Sequence, residues 1–320
     1  MADKYFANKS ELTKYRVKNL VIKTLLYVFL TIFALFMLTP FLFMVIGSFI
    51  EGAAFEKFTL YADFSQLGFE HWSFENYIKV FATTYLDNLG NTVTRPSFAQ
   101  YFLNTFIVAI SSTAVTVVTA VLASFAFARL EFKGKDLLFT LLLATMMIPG
   151  EMMVITNYQT TIMLNWKFTF SALILVHGVS VFYIFYLRQT FQQIPNELYL
   201  AAKVDGVGDI GYLMKVMVPI AMPTIMTIVI LCLMGSWNSF IWPTLVANGN
   251  WAVGKSLFGI NYDMRLVSNG LMSLFSSEIA KGQDSVKIAG SMVVTAPLFV
   301  FFICFRRYIM SGVSRSGIKG

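Results

Sequence analysis

Apolar residues in this chain are gathered into long runs rather than dispersed at helix or strand period. No charged residue occurs for 27 positions between Lys23 and Glu51, nor for 20 positions between Lys167 and Arg188. At about 1.5 Å rise per residue, either run crosses a hydrocarbon layer roughly 30 Å thick as a helix. Lipid offers no partners to backbone N–H and C=O groups, so each run should close its own hydrogen bonds. Spans are predicted near residues 25–47, 102–127, 137–156, 168–187, 216–237 and 288–305. Pro149, Gly150 and Glu151 interrupt the third, which predicts that its helix ends or kinks there.

Composition agrees: 57% of the 320 residues are hydrophobic and 13% charged, against about a quarter charged in soluble domains. An ordinary water-soluble fold is excluded. The net charge of +7 is explained by sidedness, because sixteen of the 24 lysines and arginines fall before the first span, in alternate connections, or after the last span. By the positive-inside tendency that side is cytoplasmic, with both termini inside. Nucleic-acid binding would need a basic solvated face. The first uncharged run is too long for the 7 to 15-residue core of a signal peptide, so it reads as a permanent helix. The resulting domain plan is a cytoplasmic N-terminal segment at 1–23 and a six-helix membrane domain at 24–320. Outside loops fall at 51–98 and 248–287, a cytoplasmic loop at 188–215 and a tail at 306–320. Trp72, Tyr77, Trp166 and Trp251 suit interfacial anchoring in the bilayer. Cys232 and Cys304 form neither a disulfide framework nor a metal-ligand spacing.

Enzyme chemistry finds little support. No GxxxxGK[ST] loop is present, and Gly206, Gly208 and Gly211 fit GxGxxG between two spans, with no strand or βαβ unit around them. His71 and His177 are far apart in sequence; His177 lies in a span and reads as a neutral packing residue. Asp, Glu, Lys and Arg are missing from the middle of all six spans, which disfavours an ion-coupled carrier. Energy for any transport should come from another protein.

Residues 188–215 carry the clearest local signals. Pro195 breaks a helix, a short helix follows over about 196–204, and Asp205-Gly206 makes a turn. Gly206 supplies a positive φ, Asp209 is expected to cap the next helix, and small Ala201 and Ala202 permit close approach of another surface. From the residues alone, the short helix suits either a protein partner or a lipid surface.

Leu200-Ala201-Ala202, Asp205-Gly206, Pro219 and Pro223 resemble the cytoplasmic coupling loop of bacterial ABC-importer permeases. The likeness runs through Glu75-Asn76-Tyr77, Asn104-Thr105, residues 128–134, residues 147–151, Trp237-Asn238-Ser239-Phe240 and residues 312–320. Taken in order, these resemble the second permease subunit of carbohydrate importers of the maltose type. The resemblance implies an all-α polytopic chain with the type I importer permease fold, in a bacterial cytoplasmic membrane. It also implies a related second permease, two copies of a sugar-type ATPase carrying ATP and Mg, an extracellular solute-binding protein and an oligosaccharide substrate. This chain itself would bind no cofactor or metal and be no enzyme.

In such permeases the short helix docks in a cleft of the ATPase, so Glu197, Leu200, Ala201, Ala202, Asp205 and Gly206 are the expected coupling residues. The family pattern has glutamate where Leu200 stands, which replaces an expected ion pair by apolar packing. Glu197, one turn earlier, is a possible substitute. Ser236, Trp237 and Asn238 are nominated for the translocation pathway, since a sugar needs an aromatic platform with amide or hydroxyl partners. A permease for another small solute is the alternative, and a secondary carrier or channel would work without an ATPase.

Overall fold

The computed structural model describes residues 9–61, 63–86, 92–94, 97–247, 253–255, 261–276 and 284–314. The chain divides into two compact units, Met1–Lys79 with Gly282–Met292, and Val80–Lys281 with Val293–Gly320.

The first unit begins with α1 (Lys9–Phe49), 41 residues and about 60 Å long at helical rise. Its apolar stretch is wholly exposed within the chain, as a helix facing lipid or another subunit requires. Beyond it lie α2 (Gly52–Tyr61), single turns at Phe64–Leu67 and Phe69–His71, and the start of α3 (Glu75–Phe81). Asn76 ties this arm back by donating to the Ser48 and Ile50 carbonyls at 3.0 and 2.8 Å. Ile50, Ala54 and Phe55 form the small core, packed with Leu67 and Ile288.

The second unit is built on α4 (Phe98–Arg129), whose N-terminus is capped by Ser97. Before it, β1 (Thr84–Leu86) and β2 (Thr92–Thr94) form a short hairpin. After it come α5 (Lys135–Thr145) and α6 (Gly150–Met163), bent 97° from each other. The bend falls at Pro149, where the sequence predicts a kink, and Gly134 at φ +83° starts α5.

The predicted span at 168–187 is two helices, α7 (Phe170–Ile174) and α8 (Val181–Gln192). Breaking a helix at membrane depth frees backbone carbonyls that lipid cannot satisfy, and α4 supplies the donors. Thr119 donates to the Gly178 carbonyl at 2.8 Å, and Thr116 to that of His177 at 3.4 Å. A Cβ at Gly178 would lie 2.7 Å from Val115 Cγ1, so any larger residue would have to push α4 or the Val115 side chain away.

Next are α9 (Asn196–Val204) and α10 (Asp209–Tyr212), then a π-helical turn at Leu213–Met217 running into α11 (Val218–Trp237). The wider turn precedes Pro219, which has no N–H to give, and Val218 N–H bonds Leu213 O instead. The unit continues through α12 (Ile241–Ala247), β3 (Val253–Lys255) and β4 (Asn261–Asp263), then α13 (Val267–Ser276). The last helix, α14 (Asp284–Ser314), has its first turns in the first unit and the remainder in the second.

Four of the described helices are long and apolar enough to cross a membrane, or five with the bent α5–α6 pair. The six predicted spans are thus not six continuous rods. Trp251 and the tail after Ser314 lie outside the described residues.

Two cores flank α4. One joins Phe125 to Leu187, Phe191, Ile194, Ala202, Tyr212, Leu213 and Met217. The other joins Val108 to Leu173, Trp242, Val246 and Leu266.

Candidate functional site

Helix α9 occupies the predicted range and is closed by two bonds that satisfy its terminal carbonyls. Gly206 N–H donates to Lys203 O at 3.1 Å, and Val207 N–H to Ala202 O at 2.8 Å. With Gly206 at φ +73° this is a Schellman end, which reverses the chain sharply. Asp209 is the first residue of α10 rather than its cap, which is Gly208. The side chain of Asp209 reaches back to α9 instead. It accepts from the Tyr199 hydroxyl at 2.8 Å and from Lys203 Nζ at 3.1 Å. The bond to Asp209, followed by that to Tyr199, holds the Lys203 ammonium pKa above its ordinary value. Tyr199 also packs on Tyr212, their ring centres 5.1 Å apart.

Ala202 alone of the nominated coupling residues is buried, inside the core beneath α9. Glu197, Leu200, Ala201, Asp205 and Gly206 are exposed, so the outer face of α9 is left uncovered among the described residues. Leu200 is 56% exposed and Val204 88%. One short helix therefore presents a mixed apolar and acidic face on a braced base.

A second feature lies between α4, the α7–α8 break and α11. Here a cavity of about 210 Å³ is lined by Ser112, Thr116, His177, Ser180, Tyr183, Ser236 and Ser239 among apolar neighbours. Ser112 and Ser236 share a hydrogen bond of 2.9 Å that links α4 to α11. The His177 ring meets Trp242 edge-on at 5.2 Å. These uncharged donors and acceptors suit a neutral polyhydroxylated solute or water, and have no formal charge to hold an ion.

The three pathway nominees separate in the structure. Ser236 reaches the polar cavity. Trp237 is 7% exposed, donates to Val294 O at 3.3 Å, and packs against Phe102 and Phe106. It lines an apolar groove between α4, α11 and α14. Asn238 is exposed and donates to Met234 O at the end of α11. Sequence reasoning missed the hydroxyl face of α4. Thr105, Ser112, Thr116 and Thr119 recur at steps of seven, four and three, which puts them on one side of a helix. Among the described residues no group of three His, Cys, Asp or Glu side chains is placed to hold a metal.

The fold is that of a solved subunit of a bacterial ABC transporter for import of the acidic polysaccharide alginate. The TM-score is 0.71 at 20% identity, over 95% of this chain and 99% of that one. That likeness defines the fold, the all-α, multi-pass arrangement of the type I importer class. Residues 95–315 match the family model of the binding-protein-dependent transport system inner membrane component, and the chain belongs to that family. Among its relatives is the arabinooligosaccharides transport system permease protein AraQ. The Bacillus subtilis protein is 29% identical over 78% of this chain and 79% of its own length. That of Halalkalibacterium halodurans is 30% identical over 75% and 81%.

Proposed function

We propose that this chain is one of two unlike permease subunits of an importer for an oligosaccharide or related glycoside, with α9 as the point where ATP-driven motion enters. The observation that carries this is the outer face of α9. It projects Glu197, Leu200 and Ala201 from a base locked by the Schellman turn and by Tyr199–Asp209. One of two cytoplasmic ATPase copies, which hold ATP and Mg, takes up that face. Leu200 occupies an apolar seat where family members place glutamate, and Glu197 supplies the acidic contact.

An extracellular binding protein delivers solute to the opposite side, and the termini, residues 188–215 and the tail at 306–320 are cytoplasmic. Domain limits of 1–23 and 24–320 go with this orientation. Relatives named for arabinooligosaccharides support a saccharide substrate, and so does the uncharged, hydroxyl-lined cavity. In that cavity Ser236 is the contact we assign to this chain; Asn238 sits at the mouth of α11, and Trp237 shapes the wall from behind.

The test is reconstitution of the full complex with its binding protein in liposomes. Candidate saccharides should stimulate ATP turnover and be taken up. Uptake by the purified chain without an ATPase would overturn the assignment. Stimulation by amino acids or glycerol phosphate esters alone would overturn the substrate class.

A further inference from the structure

Helices α4 and α8 run in parallel and end side by side, so two sets of orphaned terminal carbonyls, each the negative end of a helix dipole, are brought together. Each helix carries an arginine near its C-terminal end, and each arginine serves the other helix. Arg129, the last residue of α4, donates through Nη2 to the carbonyls of Phe191, at 2.8 Å, and Ile194. Arg188, one turn before the final residue of α8, donates through Nε to the Phe127 carbonyl at 3.1 Å. The Arg188 guanidinium also stacks 4.0 Å over the Phe139 ring of α5 and donates to Gln192 at 3.3 Å. One turn deeper, Ser124 donates to the Ile184 carbonyl at 2.8 Å.

The position of Ile194 gives this exchange its consequence. It precedes Pro195, which caps α9 and has no N–H to continue the hydrogen bonds of α8. The joint between α8 and α9 therefore lacks a helical bond where it would otherwise be stiffest. Arg129 holds this joint from outside, gripping the Phe191 carbonyl in the last turn of α8 and the Ile194 carbonyl immediately before Pro195, where the chain enters α9. Beneath it, Phe125, Leu187, Phe191, Ile194 and Ala202 share one core.

We propose that Arg129 and Arg188 form a reciprocal clamp which makes α4, α8 and α9 move as one lever, with Arg129 the residue that transmits displacement of α9 to α4. They are positioning residues and touch neither nucleotide nor solute. The proposal rests on the reading of α9 as the ATPase contact. Through α4 the lever reaches the hydroxyl face that lines the cavity, Ser112 and Thr116.

The experiment uses the assembled importer in liposomes and reads solute moved per ATP hydrolysed. Arg129→Met keeps the aliphatic stem and removes the donors and charge. It is expected to lower that ratio at least fivefold while the assembled complex continues to turn over ATP. Arg129→Lys, which restores a charge and donors to the same carbonyls, should recover half or more of the lost ratio. A purely structural role would lower the yield of complex and leave the ratio intact, and that result overturns the proposal. Should Arg129→Met fail to assemble, Arg188→Met carries the same readout, with at least a twofold fall expected; an unchanged ratio there overturns it too. Cross-linking from Leu200→Cys to the ATPase, run in the same preparations, separates the two claims. A cross-link with a normal ratio in Arg129→Met sinks the clamp alone, and no cross-link with Arg129 in place sinks the docking reading and the clamp with it.

Discussion

Replacing Gly206 by valine isolates the backbone contribution to coupling. A Cβ built at Gly206 meets nothing within 4 Å, so the substitution causes no collision. The penalty comes from φ +73° alone. The left-handed region costs an ordinary residue about 1–2 kcal/mol, and a β-branched one more. If the turn relaxes to escape that strain, it gives up the bonds from Gly206 N–H to Lys203 and from Val207 N–H to Ala202, worth about 1 kcal/mol each. The balance between the strained and the relaxed turn is set by the difference of these penalties. Strain of about 3 kcal/mol for valine against about 2 kcal/mol for the two lost bonds leaves ~1 kcal/mol against the competent turn, a loss of roughly fivefold in its population. Solute-stimulated ATP turnover and uptake in liposomes should fall together by that order. Gly206→Asn, whose side chain tolerates the left-handed region, should retain most of both. Wild-type uptake and stimulation in Gly206→Val would refute the claim that this turn must hold its shape.

Gly178→Ala places a methyl against Val115 and should destabilise the α4 contact by about 1–3 kcal/mol, read as a lower thermal midpoint; Val115→Ala in the same chain should restore it. Ser236→Leu fills part of the cavity and removes the bond to Ser112, so uptake should drop sharply in complexes of normal thermal stability. Trp237→Ala should do the reverse, lowering stability by about 3–5 kcal/mol because the indole packs against Phe102 and Phe106; altered solute affinity at unchanged stability would count against that. Tyr199→Phe deletes the 2.8 Å bond to Asp209, and solute-stimulated ATP turnover should fall severalfold, between wild type and Gly206→Val.

Features set by neighbours in sequence were readable in advance. Pro195 and Asp205-Gly206 punctuate the chain locally, and α9 lies where they place it. Pro149-Gly150 likewise announces the bend between α5 and α6. The break between α7 and α8 was not legible, because the run at 168–187 is uncharged throughout. What permits the break is a pair of threonines about sixty residues away on α4, donating to His177 and Gly178. The pathway nominees failed to converge for a geometric reason. Successive residues on a helix point about 100° apart, so Ser236 and Trp237 face different cavities although they are adjacent in sequence. The expectation that Asp209 caps its helix used the correct residue type and missed its partner, since Tyr199 and Lys203 claim the carboxylate first.

The most direct test of the central claim is the sidedness and partner of Leu200. In a background with Cys232 and Cys304 replaced by serine, Leu200→Cys should react with a membrane-impermeant maleimide only from the cytoplasmic face of sealed vesicles. With the ATPase bound it should be protected, and should cross-link to that subunit. Labelling from the exterior, or reactivity unchanged by the ATPase, would contradict the account.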